Sequence, residues 1–362
     1  MTRRVTRSGI LAAAALATAL SACSGTQPSS APATHQPNSP TPAAQGAGGF
    51  KQWPAQVYSP YFETWTASSS LPSLAVQSGA HYFDLGFLQA SSASSCTLTW
   101  DGSQSADSPS YQSEIGQLKQ QGGNVALAFG GQSAGDNGTE IADSCSSVSA
   151  IAADYEAVIN TYHVTRLDMD VELNALNNSA GIERRNKAIA MTAAWAASHG
   201  YPLQIQYTLP VQPSGLAPNA LEVLQNAVQE GVKVNLVNLM TFDYYDLPGE
   251  LDMGSAATEA ATSVNTQLAT LYPEESRQER YAMEGITFLP GIDDNPSKNE
   301  VTELSSARQI LSFARDHSLG LLSIWAIQRD NGGCPGSIDS NTCSGISQGS
   351  WAFSHLIESF GS

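Results

Sequence analysis

Between residues 56 and 327, eight short β-rich runs alternate with helix-patterned stretches, and this alternation constrains the fold more than any other feature. The runs cover 56–65, 82–89, 124–130, 164–172, 203–209, 234–242, 283–289 and 321–327. Helical patterns at 111–121, 149–162, 181–198, 221–230, 255–271 and 303–317 separate them, and several close on glycine, as at Gly122 and Gly200. Strands divided by helices pair in parallel as βαβ units, and eight such units suggest a closed (β/α)8 TIM barrel. An open doubly wound sheet is the competing α/β architecture, but no Gly-rich phosphate loop follows the first run. The expected fold is therefore a single barrel over residues 51–362.

The N-terminus reads as an address. Arg3, Arg4 and Arg7 precede an apolar run from Gly9 to Leu20, which is too short to span a bilayer. Residues 1–22 are expected to be a lipoprotein-type signal peptide, because Leu20-Ser21-Ala22-Cys23 looks like a bacterial lipobox, which implies lipidation at Cys23. An ordinary secretory signal is the alternative; export follows from either, and membrane contact is expected only through a lipid anchor. Residues 23–50 are rich in Pro, Ser and Ala and uncharged, so they are expected to be a flexible linker. The remaining chain, 51–362, sets 33 acids against 13 bases, a net charge of −20. That excess repels phosphate backbones, so nucleic acid is excluded as a partner and a neutral or cationic substrate is favoured. A monomer is expected.

Four cysteines follow Cys23, and an even number in an exported chain suggests disulfides. Cys96 follows the second strand and Cys145 the third, on neighbouring loops of one face, while Cys334 and Cys343 share the loop after the eighth. The pairs Cys96–Cys145 and Cys334–Cys343 are favoured among three pairings.

The strongest chemical signal is Arg166-Leu167-Asp168-Met169-Asp170-Val171-Glu172. Acid and apolar residues alternate with period two, so on a strand Asp168, Asp170 and Glu172 share one face and the apolar residues the other. In a barrel the apolar face packs under the helices and the acids point inward, with Glu172 at the mouth. Crowded, desolvated carboxyls raise one another's proton affinity, which is how a carboxylic acid stays protonated for general acid work near neutral pH. An edge strand with its acids in water is the bland alternative. A metal site is a further one, but a straight strand makes a poor cage for calcium. No His or Cys pair has ligand spacing, so neither a metal nor a cofactor is expected.

Asp-x-Asp-x-Glu at the end of the fourth strand resembles the signature of glycoside hydrolase family 18, the chitinases and their relatives. Ala128-Phe129-Gly130-Gly131 sits where that family has Ser-x-Gly-Gly, Met240-Thr241-Phe242-Asp243-Tyr244 where it has Met-x-Tyr-Asp, and Trp325 where it keeps a Trp under the sugar. The resemblance implies retaining hydrolysis of β-1,4-linked N-acetylglucosamine polymers such as chitin, with the substrate's own acetamido group as nucleophile. Glu172 then serves as acid and base, Asp170 orients the acetamido group, and Asp168 shares a proton with Asp170. Asp243 reaches toward the acetamido group and Trp325 floors the sugar site. By strand geometry the acids lie ~6.6 Å apart, nearer the inverting range than the retaining one. Both hang from one strand, however, and do not flank a bond from opposite faces, which makes a direct two-carboxylate mechanism awkward and an internal nucleophile the resolution.

The chain departs from the pattern at Thr165 and Arg166, where the family opens with Asp and Gly, at Ala128 for Ser, and at Phe242 for Tyr. Phe242 cannot donate the hydroxyl bond that Tyr supplies there. Tyr244 and Tyr245 follow, and alternation puts Tyr244 on the face of Phe242. Arg166 is read as a salt bridge to a neighbouring helix. Among further tryptophans, Trp100 sits in a rim loop and is the better sugar-platform candidate, with Trp65 weaker. A catalytically silent, lectin-like sugar-binding barrel and an endo-N-acetylglucosaminidase acting on other glycans remain open beside the chitinase reading.

Overall fold

A computed structural model describes residues 50–361 apart from 67–68, 246, 248, 250, 295–299 and 339. The segments expected to be signal peptide and linker, Cys23 among them, lie outside the described residues up to residue 49. Phe50, the last residue of the expected linker, is buried against Tyr201.

The eight barrel strands are β1 (Val57–Tyr58, continued by Tyr61–Glu63), β2 (Tyr82–Ala90), β3 (Asn124–Gly130), β4 (Arg166–Asp170), β5 (Gln204–Pro210), β6 (Val234–Met240), β7 (Glu284–Phe288) and β8 (Leu321–Ile324). Each pairs in parallel with its sequence neighbour, and β1 closes the ring by pairing β8 through Val57↔Leu321 and β2 through Tyr61↔Asp84. The first strand, expected unbroken over 56–65, is split around Pro60, which has no N–H to give a ladder. Around the ring run α1 (Leu71–Ser78), α2 (Pro109–Gln120), α3 (Val148–Tyr162), α4 (Ser179–Ser198), α5 (Pro218–Gln229), α6 (Met253–Leu271), α7 (Leu304–His317) and α8 (Ala352–Ile357).

Local sequence explains these elements. The side chain of Ser147 accepts the Ala150 N–H and starts α3, whose buried stripe Ile151, Ala152, Tyr155, Val158, Ile159 and Tyr162 has helical spacing. Strand β3 is buried at all seven positions, as expected of a parallel strand covered on both faces. Leu167 and Met169 turn outward into the core between strands and helices. Inward, Val57, Ala126, Leu236 and Leu321 fill the bottom of the barrel beside Trp53.

Both disulfides form as the loop layout implies. Cys96–Cys145 ties the loop after β2 to the loop after β3, and Cys334–Cys343 closes a turn in the loop after β8. The loop after β3 is also held by the buried ion pair of Glu140 and Arg185 at 3.1 Å. All of these brace the C-terminal rim of the strands.

Candidate active site

The inner face of β4 presents Asp168 and then Asp170, both buried. Glu172 lies two residues past the ladder, but its backbone stays extended (φ −131°, ψ 160°), so the alternation carries its side chain to the same face at the half-buried mouth. Asp168 is saturated with donors: the Tyr61 hydroxyl reaches one oxygen at 2.6 Å and the Thr208 hydroxyl the other at 2.7 Å. Asn238 in turn donates to Thr208 at 3.1 Å, and Thr287 donates to Asn238 at 2.8 Å. Side chains from four strands, β1, β5, β6 and β7, thus fix one carboxylate.

These environments separate the three acids. Burial pushes Asp168 up to about 6, against the Tyr61 and Thr208 hydroxyls that favour its charged form. Burial, then the charges of Glu172 and Asp168, hold Asp170 well above the carboxylate range, so it keeps its proton. Burial raises Glu172 to about 7, opposed by hydrogen bonds from the Asp170 carboxyl and the Gln132 backbone N–H, while the charges of Asp136 and Asp294 push it higher. A side-chain hydrogen bond also links Asp170 to Glu172, nearer the mouth. The hydroxyl lost at Ala128, which pairs with Asp168 in register, has counterparts in Tyr61 and Thr208.

Gly130 and Gly131 make this close approach possible. The Gly131 N–H donates to the Asp170 carbonyl at 3.1 Å. A Cβ on Gly130, whose φ is +101°, would sit 2.1 Å from that same oxygen, and one on Gly131 would meet the Phe87 ring at 2.6 Å. Only glycine allows β3 to turn here without pushing Asp170 away.

Above the acids opens a groove of about 930 Å³, lined by Asp170, Glu172, Met240, Phe242, Asp243, Tyr245 and Trp325 among others. Its aromatic wall is Trp325 stacked on Phe87 (5.5 Å between centroids, 23°), with Trp65 over Phe87 at 6.2 Å. Trp65 is 44% exposed, whereas Trp100 is fully buried and donates to the Tyr162 hydroxyl. The two tryptophans have therefore exchanged the roles expected of them. Trp100 ends a short antiparallel strand that extends β2 and packs on Tyr111 and Tyr162.

The tyrosines have exchanged places as well. Tyr244 is buried against Met253 and Ala256, away from the groove, while Tyr245 lines it at 53% exposure. Strand β6 ends at Met240, and positive φ at Asp243 (55°) and Tyr245 (41°) breaks the alternation that pointed to Tyr244. The Tyr245 hydroxyl interacts with Asp243, and a phenol therefore lines the same groove as Phe242. Burial and hydrogen bonds with Asp294 and Asp293 raise Asp243 to about 10, which keeps it protonated. Asp243, Asp293 and Asp294 bring carboxyl oxygens within 4.8 Å of one another, the group among the described residues with cation-ligand spacing.

Arg166 also differs from expectation. It points into the barrel, with its guanidinium 3.9 Å from the centroid of the Trp53 ring. Sequence reasoning missed Tyr61, Thr208, Phe87, Asp136 and Asp294. Tyr61 and Thr208 were discoverable only through register, since Thr208 pairs with Asp170 across β4 and β5.

A closed parallel barrel with an acid ladder on its fourth strand and an aromatic groove at the strands' C-terminal ends is the architecture of a barrel glycoside hydrolase. Residues 57–298 match glycosyl hydrolases family 18, and the chain belongs to that family. It is 34% identical over 288 residues, or 77% of its length, both to the "Probable bifunctional chitinase/lysozyme" of Escherichia coli K12 and to Endochitinase 11 of Metarhizium anisopliae. The chain spans 31% and 53% of those two curated relatives. Among solved structures, active domain 2 of the thermostable chitinase of Pyrococcus furiosus, as catalytic-site mutants complexed with chito-oligosaccharides, superposes with a TM-score of 0.72 at 30% identity. That likeness covers 84% of this chain and 93% of the other.

Proposed function

We propose that the chain hydrolyses β-1,4-linked N-acetylglucosamine polymers by a retaining route in which the substrate's acetamido group is the nucleophile. The observation that carries this reading is the Asp170–Glu172 hydrogen-bonded pair, with Glu172 raised to about 7, beneath a groove walled by Trp325. The chito-oligosaccharide complexes of the Pyrococcus furiosus domain support the substrate class.

The acetamido carbonyl oxygen attacks the anomeric carbon as the glycosidic bond breaks, and Glu172 gives its proton to the departing oxygen. Asp170 turns to the acetamido N–H and passes its proton to the ionised Asp168, so the negative charge of the pair comes to stand beside the oxazolinium cation. Water then attacks the anomeric carbon from the opposite face, Glu172 takes its proton, and the acetamido group reforms. Asp243 and Tyr245 act as hydrogen-bonding groups on the far wall, with Met240 and Phe242 as apolar contacts. Acids on a single strand have no partner across the sugar, so the internal nucleophile supplies what the protein lacks.

The test is hydrolysis of an N-acetylglucosamine oligomer series with anomer-resolved products. Early β-anomer is expected; binding without cleavage would return the chain to a sugar-binding barrel. Turnover requires Asp168 ionised and Glu172 protonated, so it should rise with pH through about 6 and fall again beyond about 7. The leader reading adds that the barrel works outside the cell membrane, tethered through Cys23. Cys23→Ala should move the protein from the membrane fraction to the medium, and continued membrane association would overturn the tether.

A further inference from the structure

The steps above leave Arg166 unused, although it opens the same inward face that carries Asp168 and Asp170. The side chain is 3% exposed. Its Nε and Nη2 donate to the Gln204 side-chain oxygen at 3.0 and 2.7 Å, and Nη1 has no hydrogen-bond partner. Every group it touches is neutral: Gln204 and the face of Trp53. Among the described residues it forms no ion pair within 4.0 Å, so its positive charge is committed to no single carboxylate. A buried guanidinium in that position is costly unless anions share its low-dielectric surroundings.

The titratable groups that act on it are Asp84 and Tyr82 from β2 and Asp168 from its own strand. Asp84 is fully buried, with one oxygen at 3.5 Å from the Gln206 amide and the other without a partner. Burial and the Asp168 charge hold its carboxyl far above the usual range, so it is neutral in the working window. Around Asp168 stand Tyr61 from β1, Asp84 from β2, Gln206 and Thr208 from β5, and Asp170 and Arg166 on its own strand. The Arg166 charge acts on Asp84 and on Asp168. Asp168 stands two residues along the same inward face of β4, and with Asp84 and Asp170 protonated it is the anion that the charge meets.

We propose that Arg166 is a positioning residue for hydrolysis: its fixed charge beneath the ladder keeps Asp168 ionised and so sets the lowest pH at which the pair above it turns over. The inference rests on the functional reading above. It also makes sense of the long side chain on the inner face, where the family pattern has glycine. Removing the charge raises the proton affinity of Asp168, because an opposite charge that favoured its anion is gone.

The experiment compares Arg166→Gln and Arg166→Lys in the otherwise intact chain, reading the pH profile of turnover. Arg166→Gln should move the acid limb up by about one pH unit, and Arg166→Lys should leave it in place. A merely structural role would lower turnover at all pH values with the limb unmoved, and a folded Arg166→Gln protein with that behaviour overturns the proposal. Arg166→Met, whose stem can rest on Trp53, serves as a second charge-free variant if the glutamine protein does not fold. Carboxyl 13C titration of Asp168, in the wild type and in Arg166→Gln, gives a readout that needs no turnover. An upward shift of the Asp168 titration in a protein that hydrolyses nothing would retain the charge relation and sink the functional reading alone. An unmoved titration overturns the proposal itself. Asp84→Asn is the control: a neutral isostere of a protonated acid should leave the limb where it is, and a moved limb would assign the control to Asp84 instead.

Discussion

Glu172→Gln is expected to lower turnover of N-acetylglucosamine oligomers by roughly three orders of magnitude, within the range for loss of a general acid. Oligomer affinity should stay within a few-fold. The substitution keeps the shape of the side chain and an oxygen that accepts from both the Gln132 N–H and the Asp170 carboxyl. The groove and its aromatic wall are therefore undisturbed. What is lost is the proton delivered to the departing oxygen, together with the base that later collects one from water. Binding by calorimetry and initial rates by product chromatography separate the two effects, since loss in turnover at constant affinity marks an interaction made only in the transition state. Unchanged turnover would move the acid to another carboxyl at the mouth, such as Asp136 or Asp294, and sink the assignment of Glu172.

How legible this site was depends on what fixed each residue. The ladder was readable because period two is a property of extended backbone, and the backbone stays extended through Glu172 even after the hydrogen-bonded strand ends at Asp170. The barrel was readable because burial on both faces makes each parallel strand a dense apolar run. The same rule failed at Tyr244 and Tyr245, where the chain has left β6 and positive φ at Asp243 and Tyr245 reverses the facing. It failed again at Trp100, whose burial depends on a hairpin added to β2 rather than on any pattern near it. The donors to Asp168 come from positions 107 and 40 residues away, and no local signal connects them. Arg166 was misread because a lone basic residue beside acids is usually a surface partner, whereas period two put it inside the barrel.

Asp170→Asn tests whether a neutral hydrogen-bond donor at this position is enough. In the resting enzyme Asp170 holds a proton and donates it toward Glu172, and an asparagine amide can do the same without changing shape. If that bond only braced Glu172, the variant would keep most of its activity. During the reaction, however, positive charge builds on the oxazolinium ring, and the group beside it has to meet the acetamido N–H with negative charge. Asp170 can do so by passing its proton down to the ionised Asp168, which moves the negative charge up beside the ring; the amide cannot. Turnover should therefore fall by about a hundredfold or more, with KM changed much less, because the missing interaction belongs to the transition state. Activity retained within a few-fold would assign Asp170 a bracing role and leave the cation to Asp168 alone. A large loss in Asp170→Asn, beside a larger one in Glu172→Gln, would place the two carboxyls in successive roles on one strand, with the sugar's own acetamido group between them and the anomeric carbon.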